Sequence, residues 1–154
     1  MSLEADIQQT KFKSEYNKLL VNLIYTGNWI NQIEASIFKP HSITSPQYNV
    51  LRILRGQYPQ PATINLIIER MLDRQSNASR IVDRLEQKGL VIRKQSAEDR
   101  RAVDVLISDQ GLELLATLDE KLEAWEQGHN HFEEHDLKQV NDFLDRFRQN
   151  GQPE

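Results

Sequence analysis

The 154-residue chain contains no cysteine. This excludes a disulfide framework, a thiolate zinc site and any thiol nucleophile or redox sensor. No stretch approaches the roughly 20 consecutive apolar residues of a membrane span. The start of the chain also lacks the basic, then apolar, then small-residue order of a secretory signal. The expectation is a cytoplasmic protein with no membrane partner. Six glycines and five prolines are few, and there are no internal repeats or low-complexity segments. With 38% apolar and 27% charged residues, the composition is that of an ordinary globular domain with its own core, so one domain over residues 1–154 is expected.

Basic charge is in short supply overall, the formal net charge being -4. That balance argues against a nucleic-acid partner until its distribution is considered. Residues 1–69 are net +1, residues 70–101 net +4 and residues 102–154 net -9. The basic side chains therefore gather in one short middle segment. Screening over about 8 Å at physiological salt leaves that segment largely independent of a distant acidic lobe.

Apolar residues recur every three or four positions at Phe12, Tyr16, Leu19, Leu23, Ile30, Ile33 and Ile37, which predicts a long helix over residues 10–38. Pro40 follows its end. The stretch "ITSPQYNVLRIL" then opens a second helix, with Thr44 and Gln47 as a capping box and Pro46 in the first turn. "YPQP", residues 58–61, breaks it, and a third helix fits residues 63–71. In "SNASRIVDRLEQKGL", residues 76–90, Ala78, Ile81, Val82 and Leu85 make a buried face. Ser76, Ser79, Arg80, Asp83, Arg84 and Gln87 lie opposite, and Gly89 is placed as the C-terminal cap.

Two short strands follow, over residues 90–94 and 102–107, the second alternating Val103, Val105, Ile107; "AEDRR" joins them. Ser108 then reads as an N-cap. Leu112, Leu115, Leu118, Leu122 and Trp125 stripe another long helix, and after a break near Gly128, Leu137, Val140, Leu144 and Phe147 stripe the last.

Two short helices closely joined, the second with a basic polar face, followed by a charged hairpin, describe a winged helix-turn-helix. The second helix of such a unit enters the major groove, where Arg, Asn, Gln and Ser side chains reach base edges and phosphates. The hairpin reaches the minor groove, whose negative floor over A·T pairs attracts arginine. The fold class expected is mainly α with a small β-hairpin wing, the winged helix-turn-helix lobe over about residues 43–107.

"ITSPQYNVL", "SNASRIVDRLEQKGLVIR" and "DRRAVDVLISDQG", in that order and spacing, resemble the multiple antibiotic resistance regulator (MarR) family of bacterial transcription factors. The resemblance implies a regulator, in most cases a repressor, rather than an enzyme, with no cofactor. It implies that Asp99 and Arg101 hold the family's Asp-x-Arg wing positions, the arginine entering the minor groove and the aspartate bracing it. Arg100 is the expected phosphate contact beside them. Gln75, Ser76, Asn77, Ser79, Arg80 and Arg84 are the expected contacts of the recognition helix. The resemblance further implies a homodimer, with dimerisation helices over residues 10–38 and 109–150 flanking the lobe, reading a pseudo-palindromic double-stranded operator.

The resemblance also implies an effector pocket for a small anionic or aromatic molecule among Tyr25, Trp29, Phe38 and Tyr48, with His41 and Arg52 as polar partners. The chain departs from the family at three positions. Leu72 stands where many relatives have glycine, Ile68 where a small alanine is usual, and Arg74 at the usual N-cap aspartate, with Asp73 one residue earlier.

Other readings of the same residues stand beside these. "EDRR" alone is a solvated tip whose ion pairs are worth about 0–1 kcal/mol. Arg80 and Arg84 also suit a solvated face paired with Asp83. Aromatics at helical spacing are more often core than pocket lining. "HNHFEEH", residues 129–135, contains an H-x-x-E-H string, which as a zinc hydrolase site needs His131, Glu134 and His135 on one helical face with a third ligand. A winged-helix module that binds protein instead of DNA is a further alternative.

Overall fold

The computed structural model describes residues 2–95 and 103–149. The chain forms two compact units, one ending at Leu122 and one beginning at Glu123.

The first unit starts with a single helical turn, α1 (Leu3–Asp6), followed by the long helix α2 (Glu15–Phe38). Apolar spacing predicted that α2 would begin near residue 10. It begins later because the Ser14 hydroxyl accepts the N–H of Asn17 at 3.1 Å and caps the helix there. Phe12 is thus in phase with the stripe but outside the helix. A 3-10 turn over Lys39–His41 and Ser42, at φ 56, reverses the chain.

Helix α3 (Ser45–Gln57) opens on the predicted capping box. Gln47 N–H donates to Thr44 Oγ1 at 3.4 Å, and Thr44 N–H to Gln47 Oε1 at 3.2 Å. Strand β1 (Ala62–Thr63) and helix α4 (Ile64–Arg70) follow, Thr63 serving as the cap of α4. Next come helix α5 (Ala78–Gln87), strands β2 (Val91–Gln95) and β3 (Val103–Ile107), and helix α6 (Asp109–His129).

The hairpin strands lie within a residue of their predicted positions, but the sheet has a third member. Its order is β1-β3-β2, all antiparallel, with Ala62 opposite Val105 and Arg93 opposite Val105 on the other side. Two residues are too few to show an alternating pattern, so β1 was not visible in the sequence.

The core of this unit gathers Phe38 from α2, Leu51 and Leu54 from α3, Ile67 from α4, Val82 and Leu85 from α5, Val105 from β3, and Leu115 and Leu118 from α6. Burying each such side chain contributes about 1.5–3 kcal/mol. α5 ends as predicted at Gly89, whose φ of 71 closes a Schellman turn: Leu90 N–H reaches Leu85 O at 3.0 Å and Gly89 N–H reaches Glu86 O at 2.8 Å. Ser108 joins that turn to the start of α6, donating its hydroxyl to Gly89 O at 2.6 Å and accepting Gly111 N–H at 3.0 Å. Gly111 lies so close to the turn that a Cβ there would stand 2.3 Å from Leu90 O.

The second unit holds the last turns of α6 and helix α7 (Glu134–Gln149). α7 buries no residue, and Leu137, Val140 and Phe143 on its apolar stripe are exposed. No described helix is long and apolar enough to cross a membrane.

Candidate nucleic-acid interface

The predicted recognition helix is shorter than residues 76–90. Its cap is Asn77, whose side-chain oxygen accepts Arg80 N–H at 3.0 Å. Of the six residues expected to read DNA, Ser79, Arg80 and Arg84 lie on α5 itself, Asn77 caps it, and Gln75 and Ser76 precede it.

Asp73 does not become the helix cap. It closes the preceding turn, accepting Gln75 N–H at 3.0 Å and the Ser76 hydroxyl at 2.6 Å. The Ser76 hydroxyl and the Gln75 amide hold its carboxyl below the usual aspartate range. Two of the departures from the family, Leu72 and Ile68, lie at the surface. Leu72, 90% exposed, takes no positive φ and needs no glycine; its N–H donates to Asn49 Oδ1 at 3.0 Å. Ile68 is partly exposed and clear of the core.

The N-termini of α3 and α5 border a cleft of about 270 Å3 lined by Thr44, Pro46, Gln47, Ser76, Asn77, Arg80, Ile81 and Arg84. Neither helix carries an acidic residue in its first turn. Their positive dipole ends are therefore not offset locally, and with two arginines beside them the cleft favours an anion such as phosphate. Arg80 and Arg84 are exposed and form no ion pair among the described residues, since Asp83 pairs with Arg93 at 2.6 Å. The intrahelical pairing of these two arginines with Asp83 is therefore absent, although both are solvent-exposed.

Sequence reasoning did not place Thr44, Pro46 or Gln47 at this surface. The capping box located the start of α3 but not its neighbour. The 3% exposed Gln47 is held there from the far end of α5, where Lys88 Nζ donates to Gln47 Oε1 at 3.2 Å and also to Ser42 O.

Asp99, Arg100 and Arg101 lie outside the described residues. The strands leading to them, β2 and β3, pair as far as Gln95 and Val103.

A second cavity, of about 670 Å3, lies between α2, α3 and the turn before α5. Tyr48 and Arg52 line it, together with Asn31, Glu34 and Asn49. Tyr25, Trp29, Phe38 and His41 do not. Phe38 is fully buried in the core, its ring 4.6 Å from that of Tyr48, whereas Tyr25 and Trp29 are partly exposed on α2. Arg52 stands over the Tyr48 ring at 5.8 Å.

Behind the cavity, the Tyr48 hydroxyl donates to Asp119 Oδ1 at 2.7 Å and Arg55 pairs with Asp119 Oδ2 at 2.5 Å, joining α3 to α6. Burial and the bond to Asp119 push the Tyr48 phenol up to about 12. For Asp119, burial opposes ionisation, but the Tyr48 and Arg55 bonds outweigh it and its carboxyl lies below the usual range. Nothing in the sequence pointed to Asp119, 71 residues from its tyrosine partner.

The H-x-x-E-H string straddles a helix boundary: His131 precedes α7, while Glu134 and His135 begin it. His135 Nε2 lies 2.9 Å from Gln139 Nε2, and no group of three metal-ligating side chains forms among the described residues.

A helix pair whose second member carries a basic face, packed on a three-stranded sheet with a hairpin, defines a winged helix-turn-helix protein. Residues 43–103 match the MarR family profile. A MarR transcription factor from Planctomyces limnophilus is 30% identical, with a TM-score of 0.65 over 88% of this chain and 98% of that one. The chain belongs to the MarR family of transcriptional regulators.

The HTH-type transcriptional regulator MhqR of Bacillus subtilis (strain 168) is 32% identical over 98 residues, 64% of this chain and 66% of MhqR. Curated relatives are matched over 49% to 66% of their own length. An organohalide-sensing transcriptional regulator solved with 2,4-dichlorophenol bound shares the fold, with a TM-score of 0.77 at 17% identity over 93% of this chain and 87% of that one.

Proposed function

We propose that this protein is a homodimeric repressor that binds a pseudo-palindromic, double-stranded operator. α5 enters the major groove, Arg101 enters the adjacent minor groove braced by Asp99, and Arg100 meets phosphate. The cleft between the starts of α3 and α5 carries this reading. It combines two helix N-termini free of first-turn acids with Arg80 and Arg84, which belong to the most basic segment, residues 70–101, of an acidic chain. Dimerisation is supported by the apolar residues that α2 and α7 expose, among them Tyr16, Ile24, Val140 and Phe143. Two such lobes related by a twofold axis read half-sites about 34–36 Å apart.

The 670 Å3 cavity is the effector site in this reading. Its Tyr48 face and Arg52 suit a small aromatic anion, and the dichlorophenol-bound neighbour supports an aromatic occupant. Such an effector releases DNA by binding more tightly to a dimer whose recognition helices are wrongly spaced.

The test is fluorescence anisotropy of the full chain against labelled fragments of the DNA upstream of its own coding sequence, at several salt concentrations. One fragment is expected to bind at least about a thousandfold more tightly than random duplex, with affinity falling steeply as salt rises. Arg101→Ala is expected to weaken that binding while sedimentation still shows a dimer. Equal binding to every duplex, unaffected by salt, refutes the function.

A further inference from the structure

Helix α5 presents acids as well as bases outward. Ser79, Asp83 and Glu86 follow one another at helical spacing along the flank that faces the sheet, next to the flank that carries Arg80 and Arg84. A helix lying in a groove walled by phosphates gains from the second flank and loses from the first.

One side chain meets all three residues of the acidic flank. Arg93, in the middle of β2, donates to Ser79 O at 3.3 Å, pairs with Asp83 Oδ1 at 2.6 Å and faces Glu86 Oε2 across 3.6 Å. Its side chain is 27% exposed and its Nε atom is buried, so the guanidinium is turned toward the helix. The planar guanidinium suits this: Nη2 serves both Asp83 and the Ser79 carbonyl, while Nε makes no hydrogen bond among the described residues and holds Glu86 only as a longer ion pair. The backbone contact at Ser79 adds a point of attachment near the start of α5.

We propose that Arg93 is a positioning residue for DNA recognition. By holding Asp83 and Glu86 it removes the charge with which α5 would repel phosphate, and it anchors the recognition helix to the wing strand. The inference rests on the DNA-binding reading above and assigns Arg93 no contact with DNA. The charge of Arg80 and Arg84 is then left for the nucleic acid, because the acids near them are already engaged from the other side.

The experiment measures anisotropy with the full chain, on its tightest-binding upstream fragment and on a random duplex. It compares the parent, Arg93→Met, Asp83→Asn/Glu86→Gln, and the combined triple variant, alongside thermal unfolding. Arg93→Met is expected to bind both duplexes about tenfold more weakly, because two uncompensated acids then face phosphate. The Asp83→Asn/Glu86→Gln variant is expected to bind no more weakly than the parent. The triple variant is expected to recover most of the loss and to keep the parent's salt slope. This recovery also covers the case in which Arg93→Met alone unfolds.

A parent that binds while Arg93→Met binds equally well overturns this inference alone. So does a triple variant that stays weak with a salt slope reduced by about one, the mark of a direct phosphate contact. A parent that shows no salt-dependent binding to any duplex overturns the DNA-binding reading and this inference with it.

Discussion

Asn77 occupies two roles that substitutions can separate. Its side-chain oxygen caps α5 by accepting Arg80 N–H at 3.0 Å, and the residue lines the cleft between the two helix starts. Asn77→Ala removes the acceptor and leaves that N–H to water, at a cost of about 1 kcal/mol for a cap of this kind. α5 remains anchored by Ala78, Val82 and Leu85, so the helix persists and the loss appears as a fall in Tm of about 2–4 °C for a chain of this length. Asn77→Asp keeps the acceptor and places a carboxylate at the positive end of the dipole, which favours the helix by about 0.3–1 kcal/mol.

Binding should order differently. The aspartate puts negative charge beside Arg80 and Arg84, so Asn77→Asp is expected to be at least as stable as the parent yet to bind every duplex more weakly. Circular dichroism melts at one protein concentration, paired with anisotropy, measure both quantities. A less stable Asn77→Asp than Asn77→Ala would refute the cap. A stable Asn77→Asp that binds DNA as tightly as the parent would refute the cleft as the anion-facing surface.

Gly111→Ala should destabilise the fold although it improves helix propensity. The propensity gain is about 1 kcal/mol, but the new methyl meets Leu90 O at 2.3 Å and Ile107 Cγ1 at 2.7 Å. Overpacking of that kind costs about 1–3 kcal/mol. A melt showing raised stability would contradict the close approach. The Asp119 carboxyl, lowered by Tyr48 and Arg55, contributes stability that is present above the ordinary aspartate pKa and lost as pH falls through its lowered value. Asp119→Asn should flatten the acid limb of the stability profile, measured by denaturant melts between neutral and acid pH; an unchanged acid limb counts against the tie.

The parts of the fold read correctly from sequence are those held by neighbours along the chain. The Thr44 and Gln47 box, the Ser108 cap, the Gly89 turn and the period of each long helix all rest on contacts within a turn or so of helix. Side-chain chemistry and spacing suffice to specify such contacts. The start of α2 is the instructive exception: Ser14 carried the right signal, but the apolar period ran past it.

The candidate surface was legible only in part. Charge clustering singled out residues 70–101 and their arginines, because charge is read from composition alone. That Thr44 and Gln47 stand beside them depends on how α3 packs against α5. Phe38 and Trp29 lie on the same helix, and only packing places one in the core and leaves the other partly exposed.

The sequence by itself determined the period of the long helices, the caps at Thr44, Gly89 and Ser108, the basic segment and, through its ordered motifs, the family. The tertiary structure decided the third strand, the cavity that Tyr48 lines, the Asp119 link and the grip of Arg93 on α5. Each of these joins residues on separate elements, 64 and 71 positions apart at Asp119. Such pairings depend on the summed packing of the whole unit, which no local pattern encodes.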